Sequence, residues 1–134
     1  MNLIAFALAA LLAQAAPATD ANGWPQIAQD GEGRYYLDPA SLSREGAVVR
    51  FRIRAQVVRG GVGGTHGAVM GLAIDCASRR AGFQSVQLFD AAGNLTGERT
   101  IPPEAVDFRP ITAGMSEDQM VAHVCAPAPA GARR

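Results

Sequence analysis

The stretch Val49-Arg50-Phe51-Arg52-Ile53-Arg54-Ala55-Gln56-Val57 alternates without interruption, apolar side chains at the odd numbers and arginine or glutamine at the even ones. Successive side chains of a strand point to opposite faces, so this period of two describes a strand with one buried and one wet face. The chain on either side is read from it. Toward the amino terminus, Trp24 to Gln29 reads as a first strand. Asp30-Gly31-Glu32-Gly33 is a turn into the strand Arg34-Tyr35-Tyr36-Leu37. Asp38-Pro39 suits the N-cap and first position of a single helical turn through Leu42, and Glu45-Gly46 turns the chain into the arginine strand.

Toward the carboxyl terminus, the glycine-rich segment from Gly60 to Gly67 reads as a mobile hairpin loop or a close-approach loop. Ala68 to Cys76 returns as a strand with Met70, Leu72, Ile74 and Cys76 on one face. Gly82 to Phe89 is a fifth strand and Leu95 to Thr100 a sixth. Asp90-Ala91-Ala92-Gly93-Asn94 joins them as a hairpin in which Gly93 or Asn94 takes positive φ. Short turns between six strands predict a mostly antiparallel sheet. Ile101-Pro102-Pro103 breaks it and opens an irregular stretch to Gly114.

Helical periodicity occurs once. Ser116-Glu117-Asp118-Gln119 reads as a capping box, with Met115 and Met120 at the positions of a hydrophobic staple. Met120, Val121, Val124 and Cys125 share one arc of a helix of about ten residues, which Pro127 ends. The expectation is an α+β domain over residues 19–126, an antiparallel sheet of about six strands carrying one short C-terminal helix, followed by a disordered tail at 127–134.

Thirteen of the first fifteen residues are apolar. The run from Leu3 to Ala13 ends in the sites Ala13-Gln14-Ala15 and Ala16-Pro17-Ala18, so residues 1–18 read as a signal peptide cleaved after Ala15 or Ala18. About eleven apolar residues cannot span a bilayer, which takes roughly 20. The mature chain is therefore expected to be exported and to carry no stable membrane anchor. Export gives the only two cysteines a meaning, because a pair in an oxidising compartment is normally bridged. A Cys76–Cys125 bridge would close a loop of about 50 residues, worth on the order of 4 kcal/mol.

Arginine and lysine together number 12, balanced by 12 acids, and every one of the 12 is arginine. The balance gives no ground for a nucleic-acid partner. The missing lysine excludes a Walker phosphate loop, a Schiff base and a Ser-Lys dyad. His66 and His123 have no second ligand at metal spacing, no G-x-S-x-G is present, and Asp38 and Asp75 read as turn-capping and sheet-edge acids. No cofactor, metal site or catalysis is expected.

What remains is a binding surface. Arg50, Arg52 and Arg54 leave one strand face about 6.6 Å apart, a basic ridge suited to sulfated or carboxylated ligands or an acidic protein patch, with Arg59 as an extension. The same pattern also describes a solvated sheet face whose charges pair with neighbours. Tyr35 and Tyr36 point to opposite faces, one toward the core and one exposed, and Tyr36 joins the arginines as a candidate contact.

Several of these residues occur in a familiar order. Trp24, the run Tyr35-Tyr36-Leu37-Asp38 followed by Ser41-Leu42 and Gly46, Asp75-Cys76 ending a strand, Phe108-x-Pro110-Ile111, and a last helix closing on Cys125 together resemble the surface-adhesin protein E family of Gram-negative bacteria. The resemblance covers residues 24–126. It implies a six-stranded antiparallel sheet with its C-terminal helix tethered by a disulfide, and a surface-displayed domain that binds host matrix proteins. The chain departs from the family pattern at Phe108, where a tryptophan is usual, at Thr112-Ala113-Gly114, and in having no lipoprotein cysteine. The partner expected is a protein or matrix polymer, and the location either the cell surface or the periplasm, where the same fold would serve as an interaction or envelope-maintenance domain.

Overall fold

The computed structural model describes residues 18–58 and 64–125. Residues 1–17, on which the signal-peptide reading falls, Arg59 with the middle of the glycine loop, and residues 126–134, where the disordered tail is expected, lie outside the described residues. The strands are β1 (Gln26–Gln29), β2 (Gly33–Glu45), β3 (Val48–Val57), β4 (Gly67–Asp75), β5 (Arg80–Phe89) and β6 (Leu95–Thr100). They pair antiparallel in sequence order, as hairpin-connected strands should. A two-residue strand β7 (Arg109–Pro110) pairs with the start of β5, and helix α1 (Ser116–Val124) closes the chain.

The arginine strand sits where its alternation requires. Val49, Phe51, Ile53 and Ala55 are buried on one face, opposite Ile74, Leu72, Met70 and Ala68 of β4. Across β2, Leu37 stands opposite Ile53, and Ile27 and Ala28 of β1 join the same core. Met120 and Val124 of α1 complete it, both almost fully buried, while Val121 and Cys125 pack at its margin. Burying two such side chains stabilises the docked helix by about 1.5–3 kcal/mol each. Cys76 and Cys125 are bridged, with Cα atoms 5.7 Å apart, so the helix is tied by its last turn to the end of β4.

Three local expectations are corrected. Asp38 to Leu42 is not a helical turn but part of β2, where Pro39 to Leu42 bulge out opposite Phe51 alone. Local side-chain bonds favour the bulge. Asp38 Oδ1 accepts from the Ala40 amide (3.2 Å), the Ser41 hydroxyl donates to the Asp38 carbonyl (2.7 Å), and Ser41 Oγ accepts the Arg52 amide at 2.8 Å in place of a ladder bond.

The capping box at Ser116 does not form, because Gln119 is engaged elsewhere. Its Oε1 accepts from the Gln29 amide (3.0 Å) and its Nε2 donates to the Gln29 carbonyl (2.7 Å), so one side chain caps the open edge of β1. The Ser116 hydroxyl instead donates to Glu117 Oε2. Finally, the stretch after Pro103 is less irregular than expected. A 3₁₀ turn at Pro103–Ala105 leads into β7, and Gly82 permits that approach, since any Cβ there would collide with Val106 Cγ1. The β5–β6 hairpin follows expectation, with Gly93 at φ 83°.

Candidate binding surface

Arg50, Arg52 and Arg54 emerge from the face of β3 opposite α1, which is the ridge the alternation implies. Each has an acid beside it. Arg50 Nη1 lies 3.2 Å from Glu45 Oε2, and Arg52 donates through Nη2 (2.8 Å) and Nε (3.3 Å) to Asp38 Oδ2. Asp38 is buried, so the β2 bulge holds a carboxylate under the middle of the ridge.

Arg54 is held by the segment before β1. Asp20 Oδ1 accepts from the Asn22 and Trp24 amides, both at 2.9 Å, which folds residues 20–24 into a tight loop and presents the indole. The Arg54 guanidinium carbon lies 5.4 Å from the Trp24 ring centroid, a cation–π distance. Its Nε lies 3.4 Å from Asp20 Oδ2, at ion-pair distance but outside hydrogen-bond geometry, so those two atoms are buried without a hydrogen bond. The sequence signal for this loop was present in Asp20-Ala21-Asn22-Gly23, a turn motif that the strand reading passed over.

Tyr36 lies on this outer face and is only 5% exposed, its hydroxyl 3.5 Å from Gln56 Oε1. Its ring is thus not the exposed aromatic expected. Tyr35 points to the helix side and is half-buried, its hydroxyl donating to Asp30 Oδ2 at 2.9 Å. Burial, followed by the Asp30 hydrogen bond and charge, pushes the Tyr35 phenol above its usual range. For Asp30, burial acts to raise the pKa, but hydrogen bonds from the Glu32 amide, the Tyr35 hydroxyl and the Gly33 amide hold the carboxyl below its ordinary value.

A hollow of about 660 Å³ opens beside Arg54, lined among others by Asp20, Tyr36, Gln56, His66 and Asp90. Its acids already have structural tasks. Asp20 shapes the Trp24 loop, and Asp90 Oδ1 accepts from the Ala92 (3.0 Å) and Asn94 (2.8 Å) amides in the β5–β6 turn. Asp75 likewise accepts from the Ala77 and Ser78 amides. Among the described residues no three His, Cys, Asp or Glu side chains gather as a metal site. No described helix is long and apolar enough to cross a membrane.

Comparison with known proteins follows the same lines. Solved structures of Haemophilus influenzae protein E share the fold. A second crystal form superposes with a TM-score of 0.58 at 14% identity, covering 84% of this chain and 94% of that one. Another superposes at 0.55 and 15% identity, covering 84% and 91%. Protein E from non-typeable Haemophilus influenzae gives 0.53 at 14% identity, covering 84% and 82%. No curated protein sequence matches. The sequence profile for surface-adhesin protein E matches residues 24–126, the span from the tryptophan over Arg54 to the residue after the bridged Cys125, and the chain belongs to that family.

Proposed function

We propose that this chain is an exported, non-catalytic binding domain that holds a protein or matrix polymer through its sheet surface. The observation that carries the reading is the family match over residues 24–126. The outer face supports it. Arg50, Arg52 and Arg54 form a row of guanidinium groups fixed in place by acids and an indole, so a carboxylate or sulfate ligand would meet donors already oriented. The acids that could suggest catalysis are occupied in turns and ion pairs. Arg59 would extend the row if the glycine loop brings it near.

A cell-surface location is the first reading, in keeping with the family's surface adhesins. A soluble periplasmic domain with a bacterial partner, using the same fold for interaction or envelope maintenance, is the second. Protease shaving of intact cells separates them. Loss of the protein supports surface display, and full protection until the outer membrane is opened would leave only the periplasmic reading.

A further inference from the structure

The helix covers only part of its face of the sheet. Beyond its N-terminus, three shallow hollows of about 270, 410 and 380 Å³ follow one another, and Phe83 lines all three. Leu72 and Met115 are shared by the first and second, Met70 by the second and third, and Ile101 by the first and third, so they form one continuous groove. Phe83 is 49% exposed and Met115 39%, an unusual amount for large apolar side chains meeting at one place.

One end of the groove is acidic. Asp30, Glu32 and Glu117 line the hollow next to the helix start, and no arginine forms an ion pair with any of them among the described residues. Asp107 and Arg109 at the β7 side neutralise each other at 2.8 Å. Arg99 stands at the far end, over Val86 and Ile101. An apolar floor divided into successive small hollows suits the side chains of an extended chain better than one compact molecule, and its unpaired carboxylates suit a cation at one end.

We propose that this groove docks an extended peptide segment of a partner protein, its apolar side chains on Phe83, Met70 and Ile101 and a lysine or arginine at Asp30, Glu32 and Glu117. The proposal rests on the reading of the chain as a binding domain but places contact on the face opposite the arginine ridge. The test uses the mature chain and the labelled peptide acetyl-Leu-Val-Leu-Lys-Lys-amide, followed by fluorescence anisotropy and amide chemical shifts. Saturable binding is expected, with shifts confined to the turn at residues 30–33, β4, β5, β6 and the start of α1. It should weaken at least about tenfold with Phe83→Ser, since a central aromatic anchor is lost. Glu32→Gln with Glu117→Gln, the first exposed and the second half-buried, should weaken it about fivefold and reduce its salt dependence, with Asp30 still in place. Glu98→Gln, on the other face of β6, should leave it unchanged.

Equal binding of a peptide with glutamate in place of lysine would overturn the proposal, as would shifts on the arginine face, insensitivity to both groove variants, or self-association through the groove without peptide binding. Failure here and failure of the broader reading differ. A wild-type chain that binds a matrix or envelope protein undiminished by Phe83→Ser sinks the groove alone, whereas a chain that binds no such protein sinks the binding function.

Discussion

Cutting the Cys76–Cys125 bridge removes the covalent crosslink between the end of β4 and the last turn of the helix, leaving the main chain before Ser116 as the tie. The two residues are 49 apart in sequence, and closing a loop of that length in the unfolded chain costs about 4 kcal/mol at 25 °C, which the bridge prepays. Small domains are stable by only about 5–15 kcal/mol, so the loss is a large fraction of the whole. It should also be unevenly distributed. Helix α1 has nine residues, fewer than the 12–15 or so at which isolated helices become even marginal, and it stays docked through Met120, Val124, the Gln119–Gln29 pair and the bond from Arg44 Nη2 to the Val124 carbonyl at 2.7 Å. Urea unfolding of the native chain and of Cys76→Ser with Cys125→Ser should differ by about 4 kcal/mol. Native-state hydrogen exchange should show the amides of Met120 to Val124 losing up to about a thousandfold in protection, while those of β3 and β4 remain the slowest. A loss below about 1 kcal/mol, or helix amides equally protected with and without the bridge, would refute the tether argument.

Other outcomes follow from the same structure. Met120→Ala empties a site that is 1% exposed and should cost about 2–5 kcal/mol in thermal or urea unfolding, and a cost under about 1 kcal/mol would show the helix face to be loosely packed. Hydrogen bonds hold the folded Asp30 carboxyl below its ordinary range, so its contribution is present above the unfolded pKa and is lost as pH falls through the folded pKa. Asp30→Asn should therefore flatten the stability profile below about pH 4, and an unchanged acid limb would contradict its hydrogen-bonded role. The Gln26 amide donates to the Ala18 carbonyl at 2.8 Å, so a chain beginning at Ala16 keeps a bond that one beginning at Thr19 lacks. The shorter chain should be about 1 kcal/mol less stable by urea unfolding, and equal stability would make that contact irrelevant.

The strand order and helix were legible because the core is built from unbroken local patterns. The alternation at 49–57 and the arc of Met120, Val121, Val124 and Cys125 each bury the face they mark. Reading failed where tertiary bonds displaced local ones. Gln119 had a local partner at Ser116 but found an open strand edge at Gln29, and Asp38-Pro39 carries helix-start chemistry that a β2 bulge used instead. The groove was hidden by a slip of period. A register shift between Gly71 and Leu72 puts Phe83 opposite Leu72 but Val86 opposite Met70, so these two aligned apolar residues are three apart and no count of two connects them. The charge of the ridge and its pairing with neighbours were both legible, but the partners were not, because Asp20 and Asp38 are brought to it by a loop and a bulge.

The central claim, that the domain exists to bind a macromolecule, is tested most directly by biolayer interferometry of the mature chain against immobilised matrix proteins and solubilised envelope proteins. Saturable, salt-sensitive binding to at least one component is predicted, weakened by replacing Arg50, Arg52 and Arg54 together with serine, by Phe83→Ser, or by both. No saturable binding to any component, by a chain whose bridge and fold are intact, would contradict the account.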